Sequence, residues 1–300
     1  MYDNRPTVLV LGVTGQTGRA ILEEFDRDPG EVRLRVAARK PADVEKLKAE
    51  GREAVRLDLD DPRTFAQALA GVDRLFLLTG YTVVMLHQSK TLVDAARKAR
   101  VSHIVHQGIF GNWDCTDPLV AWHQMIEKYL EASGIASTHL RPIFFMENLT
   151  GITPVTRGTF PVFYEDRRAG WIALKDVAAV VATVLRQGPV RHGAQDYWLS
   201  TEVMNGPEVA EVLTEVLGRP IRCDVRGPGD LEALLADPQS TMEPNYGAAV
   251  VEFMRQVSDG WMGYIGTVRD DVRFITGRPS TTLRQWATEN REIVLRSSND

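Results

Sequence analysis

The stretch VLVLGVTGQTGRAILEEF, residues 8–25, constrains the fold of this 300-residue chain more than any other segment. A run of branched apolar residues leads into three glycines, Gly12, Gly15 and Gly18, and an amphipathic segment follows them. Glycine is needed where a β-carbon would block a tight turn or keep a helix away from its strand. The order therefore predicts a buried strand, a turn and a helix, the opening unit of a parallel α/β sheet.

The same alternation continues through the first half of the chain. It predicts strands at 7–12, 33–38, 53–58, 74–79, 103–108 and 137–142, and helices near 17–27, 41–50, 62–70, 84–99 and 119–133. The expected fold is α/β, a Rossmann-type doubly wound parallel sheet with a smaller, mainly helical C-terminal lobe. The first domain covers 1–155, with 171–201 returning to it, and the lobe covers 156–170 and 202–300. The segment after Pro142 is rich in glycine, proline and aromatic residues, which predicts an irregular connection that lines a pocket.

Composition narrows the class of protein. A net charge of −5 gives no electrostatic reason to expect a nucleic-acid partner, and no apolar run has the length of a membrane span. Without a signal-peptide pattern, a cytoplasmic location is expected. Cys115 and Cys223 lie far apart, and His103 and His106 should point to opposite faces of one strand, so no metal site is expected. A homodimer stays open, because no interface periodicity stands out.

A strand that turns into a helix places unpaired amide groups and the positive end of the helix dipole at one point. Because the glycines open a βαβ unit, we expect the loop to bind the diphosphate of a dinucleotide, although a purely structural turn is the alternative. The residues assigned to this contact are Gly12, Thr14, Gly15, Gln16, Thr17 and Gly18, and Arg19 is a further candidate.

The end of the second strand indicates which dinucleotide binds. Arg39 and Lys40 stand where NAD-preferring sites carry an acid, which favours the 2′-phosphate of NADPH over NADH; a solvated basic turn is the alternative. Asp58 at the next strand end is expected beside the adenine, while Asp60 or Asp61 caps the helix that begins at Pro62. The other residues assigned to the cofactor are Leu59, Thr79, Gly80, Gln107, His123 and Phe144.

Several motifs together resemble one family from nearly end to end. The motifs are GVTGQTGRA, AARKPADVEKL, GVDRLFLLTG, AARKARVSHIVHQG, HQMIEKYLEASGIASTHLRPIFFMENL and TGRPSTTLRQWATEN. They resemble the NmrA-like group of atypical short-chain dehydrogenase/reductase proteins. The resemblance implies a Rossmann-type NADP-binding domain with a small C-terminal lobe. It also implies either a reductase of quinones, dyes or other unsaturated substrates, or a redox-sensing regulator.

The chain departs from typical relatives at the catalytic pair. Where they carry Tyr-x-x-x-Lys, this sequence places Leu119 and His123. His123 and Glu127 share a helix face at i, i+4, so the carboxylate can orient the imidazole or raise its pKa, and His123 becomes the best acid candidate. A surface pair, or a histidine that only bonds the ribose, is the alternative. The unplaced tyrosines that can also donate a proton are Tyr81, Tyr164, Tyr246 and Tyr264.

Aromatic residues after the fifth and sixth strands predict a pocket for a flat acceptor. The pocket residues are Tyr81, Phe110, Trp113, Phe145 and Asn148, with Gln107, Gly108 and Phe144 beside them. We therefore expect an NADPH-dependent oxidoreductase that passes hydride to a small apolar conjugated acceptor, such as a quinone, enone, imine or dye. The alternatives are a non-enzymatic NADP(H) sensor and a non-redox isomerase or cyclase.

Overall fold

The computed structural model describes residues 4–297, which fall into two compact units. The first unit comprises the chain up to Gly108 together with Trp122–Arg141 and Val177–Tyr197. The second comprises Ile109–Ala121, Pro142–Asp176 and the chain from Trp198 onward. Residues 109–121 and 142–155, which the sequence-based division places in the first domain, thus lie in the second unit.

A seven-stranded sheet forms the centre of the first unit. Its strands are β1 (Thr7–Val10), β2 (Arg33–Ala38), β3 (Glu53–Arg56), β4 (Arg74–Leu77), β5 (His103–Gln107), β6 (Ala136–Pro142) and β10 (Gln195–Leu199). The spatial order is β10-β6-β5-β4-β1-β2-β3, and the five pairs between β6 and β3 are all parallel. The order reverses between β1 and β4, as in a doubly wound sheet. The predicted fold class is confirmed.

Helices connect these strands. They are α1 (Gln16–Arg27), α2 (Pro41–Ala49), α3 (Phe65–Leu69) with a preceding 3₁₀ turn (Pro62–Thr64), α4 (Met85–Lys98), α5 (Pro118–Ala132), α6 (Leu174–Gln187) and α7 (Pro189–His192). The central strands β1 and β5 are buried along their whole length. Burial on both faces explains the branched apolar run of β1, whereas β5 also buries His103, His106 and Gln107.

The second unit is built from shorter elements. Its strands are β7 (Phe144–Phe145), β8 (Thr159–Val162), β9 (Ala169–Ile172), β11 (Glu202–Met204) and β12 (Arg222–Val225). Its helices are α8 (Gly206–Leu217), α9 (Pro228–Leu235), α10 (Pro244–Ser258), α11 (Asp271–Thr276), α12 (Leu283–Glu289) and α13 (Arg291–Ser297), with 3₁₀ turns at Met146–Thr150 and Gly263–Gly266. The strands form one sheet in the order β11-β9-β7 and a parallel pair, β12-β8.

Most predicted elements of the first half agree with the structure to within a few residues. The segment after Pro142 differs, because the structure has three short strands and a 3₁₀ turn where the sequence predicts an irregular connection. Strands of two to four residues leave too little periodicity to be distinguished from a loop. Within residues 4–297, no helix combines the length and the apolar character needed to cross a bilayer.

Candidate cofactor site

The three glycines of the first turn meet three different requirements. Gly12 has a left-handed φ of +74°, a conformation that side chains rarely tolerate. A β-carbon on Gly18 would lie 2.2 Å from the carbonyl oxygen of Gly12, so helix α1 can pack against the turn only with glycine there. A β-carbon on Gly15 would meet nothing closer than that oxygen, at 3.4 Å.

The fold itself therefore does not require a glycine at position 15. Gly15 has ordinary extended backbone angles, it is exposed, and its N–H donates to the Gly12 carbonyl at 2.9 Å. A β-carbon there would project into the open space before the first turn of α1. The absence of a side chain leaves room for another molecule to approach the backbone, as the diphosphate of a dinucleotide must.

The N-terminus of α1 has no acceptor of its own. No side chain caps the helix, and its first turn contains no acidic residue. Helices α8 and α12, in contrast, both begin with a capping box, formed by Asn205 with Glu208 and by Thr282 with Gln285. The free amides of residues 16–18 thus offer hydrogen-bond donors and positive potential beside Gly15. Thr14 and Gln16 are exposed and Thr17 is half-buried at the same turn.

Two exposed cations follow β2. Arg39 and Lys40 form no ion pair with any residue that the structure describes, and Lys40 is the N-cap of α2. A third cation, Arg56, was missed by the sequence analysis. It ends β3 directly opposite Ala38, and its Nε donates to the Arg39 carbonyl at 3.4 Å. Because β2 pairs with β3, Arg56 lies beside Arg39 and Lys40.

The turn after β3 contains the helix cap that the sequence predicted, and the binding role assigned to Asp58 and Leu59 stays a prediction. Asp61 caps the 3₁₀ turn through the Arg63 N–H, which confirms that one of the two acids is a cap. Asp60 accepts from the buried Gln88 side chain at 2.7 Å, and the Asp58 carboxylate accepts from the Asp60 N–H at 3.2 Å. Asp58 and Leu59 are half-buried at the end of β3.

Three predicted residues lie beyond the carboxyl end of β4. Thr79 is half-buried and Gly80 is exposed, and the Gly80 carbonyl accepts from the Thr82 N–H at 3.0 Å. Tyr81 is 62% exposed. Because β4 neighbours β1, this turn and the glycine turn leave the same edge of the sheet.

Gln107 ends β5 at that edge. The residue is 8% exposed, and its buried Oε1 atom has no hydrogen-bond partner. Buried amide oxygens are normally paired, because an unpaired one forfeits the hydrogen bond that water would supply. An unpaired amide at the carboxyl end of a central strand fits contact with a bound ligand.

The predicted pairing of His123 with Glu127 is wrong. Both Glu127 oxygens accept from Arg141 on β6, at 3.0 Å from Nε and 2.7 Å from Nη2, and this ion pair is almost completely buried. Burial instead lowers the pKa of His123 to about 4, so its imidazole is neutral at neutral pH. The i, i+4 spacing identified a shared helix face correctly but could not reveal a competing arginine on a strand.

The remaining predicted residues belong to the second unit. The Phe144 ring stacks on Tyr164 with centroids 5.2 Å apart, and the Phe110 ring stacks on Tyr264 at 6.3 Å. Phe110 is 4% exposed and Trp113 is 52% exposed. Phe145 and Asn148 are half-buried at the start of the 3₁₀ turn that follows β7. Burial raises the pKa of both Tyr164 and Tyr264, so these two proton-donor candidates stay neutral.

Comparison with known proteins places this geometry in a family. The model of the NmrA-like family matches residues 4–257. The chain belongs to the NmrA-like family. This NmrA-like protein is 29% identical to a NAD(P)H azoreductase of Xenophilus azovorans, over 93% of its own chain and 96% of the relative.

Two solved structures share the fold of this NmrA-like protein. The triphenylmethane reductase of Citrobacter sp., complexed with NADP(H), matches with a TM-score of 0.79 and 21% identity, over 95% of this chain and 99% of the other. The NADPH-dependent quinone oxidoreductase of Escherichia coli, complexed with NADPH, matches with a TM-score of 0.79 and 23% identity, over 94% and 99%. The resemblance seen in the sequence motifs is confirmed.

Proposed function

We propose that this NmrA-like protein is an NADPH-dependent oxidoreductase that reduces a small, apolar, conjugated acceptor. The observation that carries the proposal is the uncapped first turn of α1 behind Gly15, a position at which the fold needs no glycine but a bound diphosphate does. The names of the relatives, which reduce azo compounds, quinones and triphenylmethane dyes with NAD(P)H or NADPH, support the same class of reaction.

Residues of the first unit are assigned to the nucleotide by their chemistry. The amides of residues 16–18 hold the diphosphate, and Arg39, Lys40 and Arg56 supply cations for the 2′-phosphate. Asp58 and Leu59 flank the adenine, and the turn of Thr79 and Gly80 follows the neighbouring strand. The unpaired amide of Gln107 and the neutral imidazole of His123 bond the nicotinamide half.

The protein contributes mainly binding and orientation to the reaction. When bound, the reduced nicotinamide supplies a hydride to an electrophilic carbon or nitrogen of the acceptor. His123 stands where typical relatives carry lysine and Leu119 where they carry tyrosine, so no tyrosine–lysine pair protonates an oxyanion in place. A quinone, enone, imine or cationic dye needs little acid from the protein, because its product accepts a proton from water.

The acceptor side is assigned to the second unit. Phe144 is half-buried and stacks on Tyr164 there, and a flat aromatic face suits a flat conjugated acceptor, whereas Phe110 is 4% exposed and stays only a predicted pocket residue. Phe145, Asn148 and Trp113 stay predicted pocket residues. A cytoplasmic location and a homodimer likewise remain predictions from the sequence.

The decisive experiment follows NADPH oxidation by absorbance with a panel of quinones, enones, imines, azo compounds and triphenylmethane dyes. Turnover with at least one class, faster with NADPH than with NADH, is the expected result. Tight NADPH binding without turnover of any acceptor would favour a redox sensor instead. No binding of either nucleotide, measured by calorimetry, would remove the basis of the proposal.

A further inference from the structure

A cluster of ionisable side chains lies inside the first unit, apart from the residues assigned to substrate or diphosphate. His106 on β5 and His139 on β6 are directly opposite each other in a parallel pair, so both side chains are on the same face of the sheet. Glu127 on α5 covers them. The exposed fractions of these three residues are 1%, 2% and 1%, respectively.

The spacing of the cluster suits one small cation. A ring nitrogen of His106, a ring nitrogen of His139 and a carboxylate oxygen of Glu127 all lie within 4.8 Å of one another. The two imidazole rings meet edge to face, with centroids 5.7 Å apart and an angle of 77° between their planes. Ligands at about 2.0–2.2 Å from a tetrahedral zinc ion are somewhat closer together, so small side-chain rotations would close the site.

The imidazoles have nitrogen atoms available for a ligand. Neither ring nitrogen of His106 and not Nδ1 of His139 has a hydrogen-bond partner. His106 differs in this respect from the buried histidines outside the cluster. His192 bonds Tyr197 and Gln187 through its two nitrogens at 2.8 and 2.7 Å, and His103 bonds Thr138 through Nε2 at 2.8 Å and leaves only Nδ1 unpaired. A buried imidazole with two unpaired nitrogens is unusual, because one of them carries a proton and lacks an acceptor.

His123, whose ring centroid is 5.6 Å from that of His106, lies beside the cluster, but it is assigned to the nicotinamide half of the nucleotide and is not one of the three ligands.

The surroundings orient the carboxylate. Arg141 donates to both oxygens of Glu127, and its Nη2 also donates to Asp196 at 2.9 Å. Each carboxylate oxygen has a second lone pair, so Oε1 can bond a cation while it accepts from Arg141. Gly108 leaves room beside this atom: a β-carbon there would lie 3.2 Å from Oε1 and 3.3 Å from Cε1 of His106.

The charge balance permits a divalent ion but limits its affinity. Glu127 and Asp196 carry two negative charges against the one positive charge of Arg141. A divalent cation would change the net charge of the group from −1 to +1. We therefore expect weaker binding than at a site with four unopposed ligands.

We propose that His106, His139 and Glu127 form a binding site for zinc that joins β5, β6 and α5. Zinc suits two imidazoles and one carboxylate as three of its four tetrahedral ligands. The sequence predicted no metal site because His103 and His106 face opposite sides of β5. The second histidine of the cluster is on the neighbouring strand, where the register of β6 places His139 opposite His106.

The test measures metal directly and needs no turnover. Purified protein is stripped with a chelator and titrated with zinc against a chromophoric competitor, in the absence of nucleotide. We expect one zinc per chain, bound with a Kd of about 1 µM or tighter, and a melting temperature raised by several degrees. His106→Gln and His139→Gln should each weaken binding at least tenfold. The wild-type titration decides the question even if these variants fail to fold, because wild-type protein that binds no zinc overturns the proposal.

Matched variants separate the cluster from other histidines. His192→Gln removes a buried histidine whose nitrogens are both bonded, and His87→Gln removes an exposed one. Both should bind zinc as the wild type does. If His87→Gln abolishes binding while His106→Gln does not, the metal is on the surface and the proposal is wrong. Since the titration contains no NADPH or acceptor, its failure leaves the proposed reductase function untouched.

Discussion

Gly18 lies so close to Gly12 that a β-carbon on Gly18 would be 2.2 Å from the Gly12 carbonyl oxygen and 2.5 Å from its carbonyl carbon. The contacting atoms are backbone, which cannot move aside without shifting α1 away from β1. We expect Gly18→Ala to destabilise the protein by at least about 2 kcal/mol, as overpacking of a core does. Urea unfolding without nucleotide measures this loss.

Gly15→Ala is the matched variant. Its β-carbon meets only the Gly12 oxygen at 3.4 Å, so stability should change by less than about 1 kcal/mol. NADPH affinity should nevertheless fall at least tenfold, because the methyl group stands where the diphosphate approaches the amides of α1. Calorimetric titration of both proteins with NADPH measures this loss of affinity. Unchanged affinity would mean that the diphosphate binds elsewhere.

Arg39→Asp tests the choice of nucleotide. Charge-assisted hydrogen bonds to a phosphate contribute about 1.5–3 kcal/mol, so NADPH should bind at least tenfold more weakly while NADH changes little. Lys98→Asp, at the C-terminal end of α4 and therefore at the opposite edge of the sheet, should leave both affinities unchanged. An equal loss for NADPH and NADH would show that Arg39 does not contact the 2′-phosphate.

Arg141→Met tests the buried ion pair. It leaves the Glu127 carboxylate buried without its partner, which typically costs about 3–5 kcal/mol. Arg63→Met removes a comparable two-point contact with Asp61, but the Arg63 side chain is 90% exposed and solvent screens the pair, so the loss should be much smaller than that of Arg141→Met. Urea unfolding of both variants at neutral pH gives the comparison. Similar losses would contradict the role assigned to burial.

The buried histidines predict a specific pH dependence. The pKa of His103 is lowered to about 4 by burial, so between pH 6.5 and 4 the unfolded chain binds a proton that the folded protein does not. The free energy of unfolding must then fall with decreasing pH, by up to about 1.4 kcal/mol per pH unit for this group. Burial raises the pKa of Asp117 and Asp176, which acts in the opposite sense.

The difference between variants isolates the histidine contribution. His103→Gln should lose less stability than wild type between pH 7 and pH 5, whatever its stability at pH 7. Urea unfolding of the variant and of the wild type at pH 7 and at pH 5 measures the stability that each protein loses. Parallel losses in the two proteins would show that the pKa of His103 is not depressed.

His123→Gln tests whether this residue is an acid or a positioning group. With a pKa of about 4 the imidazole is neutral at pH 7, and glutamine can replace its hydrogen bonds in part. We expect kcat to fall less than about tenfold and the pH profile from 6 to 8 to keep its shape. A loss of 10³-fold or more would make His123 the proton donor.

Local features were predictable because their causes are local. The glycine turn and the strand runs of the first unit are determined by neighbours in the chain. The cations after β2 followed from their place at a strand end. These predictions needed no knowledge of which strands pair.

Features that depend on register were not predictable. Arg56 reaches Arg39 only because β3 pairs with β2, and His106 meets His139 only because β6 pairs with β5 in that register. Glu127 was assigned to the histidine four residues before it, whereas the structure pairs it with Arg141, fourteen residues later. A helix periodicity identifies the face of a residue but not what the facing strand offers to it.

The uncapped beginning of α1 also bears on how long the protein survives in a cell. The proposed contact between the diphosphate and the first amides of α1 would complete this opening turn, so loss of the nucleotide would expose the turn to fraying and to proteases. Amide hydrogen exchange at residues 16–18 would then report how much of the protein is loaded. Turnover of the polypeptide itself would follow the supply of reduced nucleotide.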